Sequence, residues 1–243
     1  KKIIETNFQK IIFIFSLLIS MLNFFLILNI FKKKILIREH KEDLYLIILA
    51  VIFILLIYFN ENMGIVTIIS IISSLSNSGL SLINEGNNLS LYFLLIACIG
   101  GSVISNSSGI KLVRFYILTK TTGAEIIKLI SPNSVVNRNM YATGKKITDD
   151  NIKNSFLIFI SFFISIFILS CILIVDDINF ENSFKLSILT ITNTTISGMF
   201  GIENMNFSNL LTTSKVSLIM FMIIGKIELI SIFLIIKKLF FKD

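Results

Sequence analysis

Between Thr67 and Arg114 the chain runs TIISIISSLSNSGLSLINEGNNLSLYFLLIACIGGSVISNSSGIKLVR. An apolar run passes straight into the polar turn Ser76-Asn77-Ser78-Gly79. A second apolar run is broken by Gly100, Gly101 and a string of Ser and Asn before it resumes. Lipid cannot hydrogen-bond a bare backbone, so irregular chain at membrane depth persists only inside protein or along a water-filled path. A half-helix, a polar turn and an interrupted helix in succession therefore point to a re-entrant pore loop followed by a broken helix. Surface loops between ordinary spans are the plainer alternative.

The chain on either side of this stretch has a membrane character. It is 54% hydrophobic with mean hydropathy +0.87, and it holds one Pro and no Trp in 243 residues. Several runs approach the roughly 20 apolar residues that cross a bilayer core. Spans are expected at 11–31, 44–59, 89–118 (broken), 154–175 and 213–236, with short apolar runs at 64–75 and 184–192 that do not reach across. The net charge of +7 is no nucleic-acid footprint, because Lys and Arg flank the spans instead of forming a face. Cys98 and Cys171 sit inside apolar runs and form neither a disulfide framework nor a metal site. His40 is the lone histidine, in a charged link, so neither a metal centre nor a catalytic cluster is expected, and no enzyme. The first span is too long for a cleavable signal peptide. With no initiator Met at Lys1, residues upstream are expected.

Loops 32–43, 111–153 and 237–243 are rich in Lys and Arg, whereas 60–63, 84–88, 176–183 and 200–209 are acidic or neutral. The positive-inside rule places the first set in the cytoplasm. The two short runs then enter and leave from the outer side; only Lys1, Lys2 and Lys10 run against the rule. The polar turns after those runs are copies of one another. Ser74-Leu75-Ser76-Asn77-Ser78-Gly79-Leu80-Ser81 aligns without a gap with Thr190-Ile191-Thr192-Asn193-Thr194-Thr195-Ile196-Ser197. Each copy follows a span and a short run and precedes another span, as a duplicated unit does. The expected fold is thus an all-α membrane protein of repeated span–pore-loop–span units, with re-entrant half-helices and one broken helix. Half-helices that aim their partly negative C-terminal ends at one axis suit cation conduction. The turn beyond each presents carbonyls that replace an ion's hydration shell, and Gly79 fits the backbone angles this needs.

Three further segments carry a resemblance. Gly100-Gly101 through Gly109-Ile110-Lys111-Leu112-Val113-Arg114, Leu129 to Val136, and Ile224-Gly225-Lys226-Ile227-Glu228 together resemble the Trk/Ktr/HKT potassium transporters, in particular the bacterial Trk-type membrane subunit. The first looks like the family's intramembrane loop, the second like its cytoplasmic His-Pro-x-x-Val segment, the third like its Leu-Gly-Arg-Leu-Glu element. The link from Phe31 to Tyr45 also resembles the charged stretch that precedes the third repeat. The resemblance implies four such repeats around one pore. Residues 1–43 would be the last helix of an incomplete repeat with its cytoplasmic link, 44–118 a third-repeat unit, 119–153 a cytoplasmic loop and 154–243 a fourth-repeat unit. It further implies potassium as the transported ion, with sodium as the alternative, no covalently bound cofactor, a homodimer in the inner (plasma) membrane, and a cytoplasmic nucleotide-binding regulatory partner on 119–153.

On this comparison the selectivity filter falls on Asn77, Ser78, Gly79, Asn193, Thr194 and Thr195. The gate loop holds Gly100, Gly101, Ser105, Asn106, Ser107, Ser108 and Gly109, with Lys226 and Arg114 as the pore charges. Three positions depart from the family. Thr195 replaces a filter glycine, and a β-branched residue resists positive φ. Fewer glycines in the loop stiffen it. Lys226 keeps the charge of the family's Arg but loses its bidentate fork. Lys226 stands out in any case, about 16 Å from Lys237 along the helix and too deep to snorkel. A charge at that depth faces a cavity or a partner; contact with the gate loop and structural pairing with an acid are the two readings. A non-conducting scaffold or sensor with a decayed filter is the rival to ion permeation.

Overall fold

The computed structural model describes residues 6–24, 26, 41–58, 64–82, 89–103, 105–131, 147–202, 207 and 210–227. Outside them lie the basic link with His40, the 83–88 link, the Pro132 segment, Glu203, Glu228 and the Lys237-Lys238 end. Most described residues are helical and strand is confined to one short parallel bridge; the chain is an all-α membrane protein. Its helices are α1 (Asn7–Met21), α2 (Lys41–Tyr58), α3 (Ile65–Leu75), α4 (Ser90–Cys98), α5 (Leu112–Ile130), α6 (Asp149–Ile174), α7 (Phe180–Ile191) and α8 (Thr212–Ile227).

Only α6, among the described residues, is by itself long and apolar enough to cross a bilayer. Its 26 residues reach about 39 Å at 1.5 Å per residue. One flank buries Ile158, Phe162, Ile166, Leu169 and Leu173, while Phe156, Phe163, Ile164, Phe167 and Ile168 lie on the outside. Exposed apolar surface on this scale has no place in water and suits a lipid face. Likewise α2 exposes Ile47, Ile48, Val51, Ile52, Leu55 and Leu56 and buries Leu46, Ala50 and Ile57. Its first turn holds the acids Glu42 and Asp43, which suit the partly positive N-terminal end of a helix.

The short helices α3 and α7 are the reverse, enclosed on every side near their C-terminal ends. Ile69 to Leu75 are all buried, as are Leu186 to Ile191. With 11 and 12 residues they reach only about 16–18 Å, half the bilayer core. Ser73, Ser74, Ser187 and Thr190 let neighbouring backbones come close. The Ser74 hydroxyl donates to the Phe93 carbonyl at 3.1 Å, and Ser170 to Ser187 at 3.1 Å. One apolar core joins the surroundings of both short helices, with Leu75, Phe93 and Ile96 packed alongside Leu169, Leu186, Leu189, Met199 and Phe200.

Two boundaries differ from the sequence reading. The span expected at 11–31 is broken after Met21, where Leu22 turns extended (φ −79°, ψ 162°), and helical backbone is present again at Phe24. The backbone freed there finds partners elsewhere: Ser102 donates to the Met21 carbonyl, and Asn23 donates to Asp43. The helix after the broken span runs to Ile130, well past the limit of 118 expected for it. Threonines 119, 121 and 122 bond back to carbonyls three and four residues earlier, so a polar stretch continues the helix. Between α4 and α5 the broken span is open for 13 residues, 99–111, with its mouth closed by the parallel bridge Ile99–Ile110 and Gly100–Lys111.

Candidate pore turns and intramembrane loop

The two half-helices end in the same way. After α3, Ser76 is still helical (φ −79°, ψ −3°) and Asn77 is left-handed at φ 56°. After α7, Thr192 repeats the first pair of angles (φ −80°, ψ −2°) and Asn193 is left-handed at φ 51°. Ser78 N–H reaches the Ser73 carbonyl at 3.1 Å, and Thr194 N–H reaches Leu189 at 2.9 Å. This is the Schellman closure, with Asn in place of the usual Gly. Each Asn amide then ties its turn to the helix that follows: Asn77 Nδ2 donates to Ala97 O at 2.6 Å, Asn193 Nδ2 to Met222 O at 2.9 Å. Ala97 is in the last turn of α4, whose carbonyls have no partner further along the helix.

One residue later the copies part. Gly79 is left-handed (φ 69°), and a Cβ there would lie 2.7 Å from the Thr195 nitrogen and 2.7 Å from Thr194 Cγ2. Thr195 is not among the described residues with positive φ. It crosses to the first turn instead, where its hydroxyl donates to the Ser78 carbonyl at 2.5 Å and its N–H approaches the same oxygen at 3.4 Å. Asn77 Nδ2 also meets Thr194 Oγ1 at 3.4 Å. The turns are therefore in contact, and the carbonyl-rich ends of two helices come together.

The loop within 99–111 is wound around a cation. Lys111 is buried, and its ammonium donates to the Ser107 carbonyl at 2.5 Å and, at 3.4 Å, to the Ser105 carbonyl. Gly101 N–H donates to Ser107 Oγ at 2.7 Å, and Ser105 and Ser107 share a hydroxyl contact at 2.7 Å. A second cation reaches the loop from α8: Lys226 Nζ donates to Asn106 O at 2.7 Å and to Asn106 Oδ1 at 3.0 Å. Gly225, just before it, sets that reach. A Cβ there would fall on the Ile191 carbonyl and lie 3.2 Å from Asn193 Nδ2. Only a glycine lets α8 lie so close to the end of the second half-helix. Ser105, Asn106, Ser107, Ser108 and Gly109 line a cavity of about 130 Å³ together with Arg114 and Lys226.

The sequence-predicted residues thus form two groups, the paired turns and the loop with Lys226 and Arg114. Gly100 lies in the bridge that closes the loop. Three contributors were not singled out: Lys111, Glu42, whose carboxylate accepts Val103 N–H at 2.8 Å, and the Met21 carbonyl. Lys111 carries the signal that marked Lys226, a cation set in an apolar run; the other two depend on long-range packing. No group of three His, Cys, Asp or Glu able to hold a metal occurs among the described residues.

Half-helices whose carbonyl ends meet, beside a looped break in a helix, invite comparison with known proteins. The family model of TrkH, described as a cation transport protein, matches residues 84–242. The chain belongs to the TrkH family. An uncharacterized cation transporter of Methanocaldococcus jannaschii is 25% identical over 202 residues, 82% of this chain and 41% of the relative. The Trk system potassium uptake protein TrkG of Escherichia coli is 27% identical over 155 residues, 63% of this chain and 31% of the relative. The crystal structure of the potassium transporter TrkH from Vibrio parahaemolyticus superposes with a TM-score of 0.79 at 18% identity, over 98% of this chain and 54% of that one. That likeness speaks for the fold. The chain spans about a third to a half of the length of these TrkH-family relatives.

Proposed function

We propose that this chain forms part of a potassium uptake pathway in a Trk-type transporter. Ions pass between the paired turns and then through the segment obstructed by the 99–111 loop. In this reading the carbonyls at Asn77, Ser78, Gly79, Asn193, Thr194 and Thr195 contribute to the filter. The Gly100 to Gly109 loop is the gate, which Lys226 and Arg114 hold in place. The observation that carries the reading is the meeting of two half-helix C-terminal ends, which draws cations by dipole and by carbonyl. In this reading 44–118 and 154–243 are two pore repeats, joined by 119–153, with α5 continuing the first one to Ile130. A relative described as a Trk system protein supports a cytoplasmic regulatory subunit, a nucleotide-binding one on our reading. Assembly as a homodimer in the inner membrane completes the proposal.

The test is rescue of a potassium-uptake-deficient bacterium. Growth on low potassium is expected with the parent and lost with Gly79→Asp, which puts a clashing acid into the turn; growth indifferent to that change contradicts the pore assignment. A second reading, a non-conducting scaffold or sensor, draws on one observation: Thr195 occupies the Ser78 carbonyl that an ion would need. Ion flux through the reconstituted protein separates the two.

A further inference from the structure

Glu42 lies in the first turn of α2, an ordinary place for an acid near a helix N-terminus. Its contact is not ordinary. The carboxylate Oε1 accepts the amide of Val103 at 2.8 Å, on the strand side of the intramembrane loop. Next to it, buried Asp43 accepts Asn23 N–H at 2.8 Å. The Met21 carbonyl, at the break of α1, accepts Ser102 N–H at 3.1 Å. The segment joining α1 to α2 therefore starts and ends at the same spot. Its two ends hold adjacent amides of the loop, Ser102 and Val103. Lys226 holds the loop three residues further on, at Asn106.

We propose that Glu42 is a positioning residue for the loop, a second tether that ties it to the N-terminal end of α2 as Lys226 ties it to α8. The inference rests on the gate reading given above. An irregular loop at membrane depth has amides that ladder bonding does not satisfy, and each left bare costs several kcal/mol. A carboxylate satisfies such an amide more strongly than a neutral acceptor. Moving the loop out of the ion path breaks this bond, so Glu42 favours the obstructing position.

The experiment is rubidium flux into vesicles holding the reconstituted protein, normalised to material that elutes as folded, for E42A, E42Q and K226Q. E42A removes the acceptor and is expected to raise flux about tenfold, the population shift of one lost charge-assisted bond. E42Q keeps an acceptor oxygen but loses the charge, and is expected to rise only about threefold, between the parent and E42A. A merely structural role lowers flux in E42A and gives no such split. E42A unchanged or lowered while K226Q rises overturns the tether and leaves the gate reading intact. Both silent overturns the gate reading and the tether with it. E42A raised alone keeps the tether and removes Lys226 from the gate. E42Q raised as far as E42A overturns the hydrogen bond as the cause. Should E42A not fold, V103P removes the donor instead; flux at the parent level there overturns the proposal.

Discussion

The two pore turns are built alike up to the left-handed asparagine and differently beyond it. In the first, Gly79 continues in the left-handed region and leaves room for the neighbouring turn. In the second, Thr195 abandons that path and places its hydroxyl on the Ser78 carbonyl. The comparison separates two tasks that a filter sequence performs. Ending the half-helix depends on Asn at one position and on an orphan carbonyl next door, and both copies retain this. Presenting a carbonyl ring depends on a residue that accepts positive φ, and only the first copy retains that. The first turn should therefore be intolerant of change, and the second adaptable.

The largest effect is expected at the glycine. Gly79→Ala adds a Cβ where Thr194 and Thr195 already lie and forces an L side chain to positive φ, a strain of about 1–2 kcal/mol before any clash. Uptake should fall to background, as read by growth on low potassium, while Thr195→Gly should leave growth intact. Equal sensitivity at the two positions would break the comparison. Gly225→Val comes next, because it pushes α8 off the Ile191 carbonyl. Overpacking of this kind costs about 1–3 kcal/mol, and thermal unfolding in detergent should show a lower midpoint with uptake reduced.

The asparagines sharpen the comparison at a smaller scale. Asn77 is buried and Asn193 half-buried, so Asn77→Ala leaves the more enclosed carbonyl bare. A cost of about 1–3 kcal/mol is expected there, against about half that for Asn193→Ala, both checked by the same unfolding measurement. The smallest change belongs to Thr195→Val. It keeps the shape and deletes the hydroxyl, releasing the Ser78 carbonyl, and potassium over sodium flux should rise by at most about fivefold, the worth of one neutral hydrogen bond. A fall in that ratio would mean that the threonine assists the filter.

How much of this was legible follows from range along the chain. Both half-helices were visible because a short apolar run ending in Ser/Thr-Asn is a local pattern, and the pattern occurs twice. The broken span was visible from Gly100, Gly101 and the serines for the same reason. Lys226 was conspicuous by its depth, and Lys111 could have been found by the same rule. The break of α1 after Met21 could not be found, since Leu22 and Asn23 carry no strong stop signal and the break is stabilised by Ser102 and Asp43, distant in sequence. The extension of α5 to Ile130 was missed because its threonines satisfy the helix backbone while reading as loop. The role of Glu42 at Val103 lies 61 residues away along the chain, and no periodicity reports it.

The central claim is that the turns after α3 and α7 face a common ion path. Locating a heavy monovalent cation, rubidium or thallium, by anomalous scattering in crystals of the protein tests it most directly. The account predicts a peak between the turns, beside the carbonyls of Ser78 and Thr194 and just beyond the ends of both half-helices. Residues 76–81 and 193–198 lying at the aqueous surface with no cation between them would contradict it.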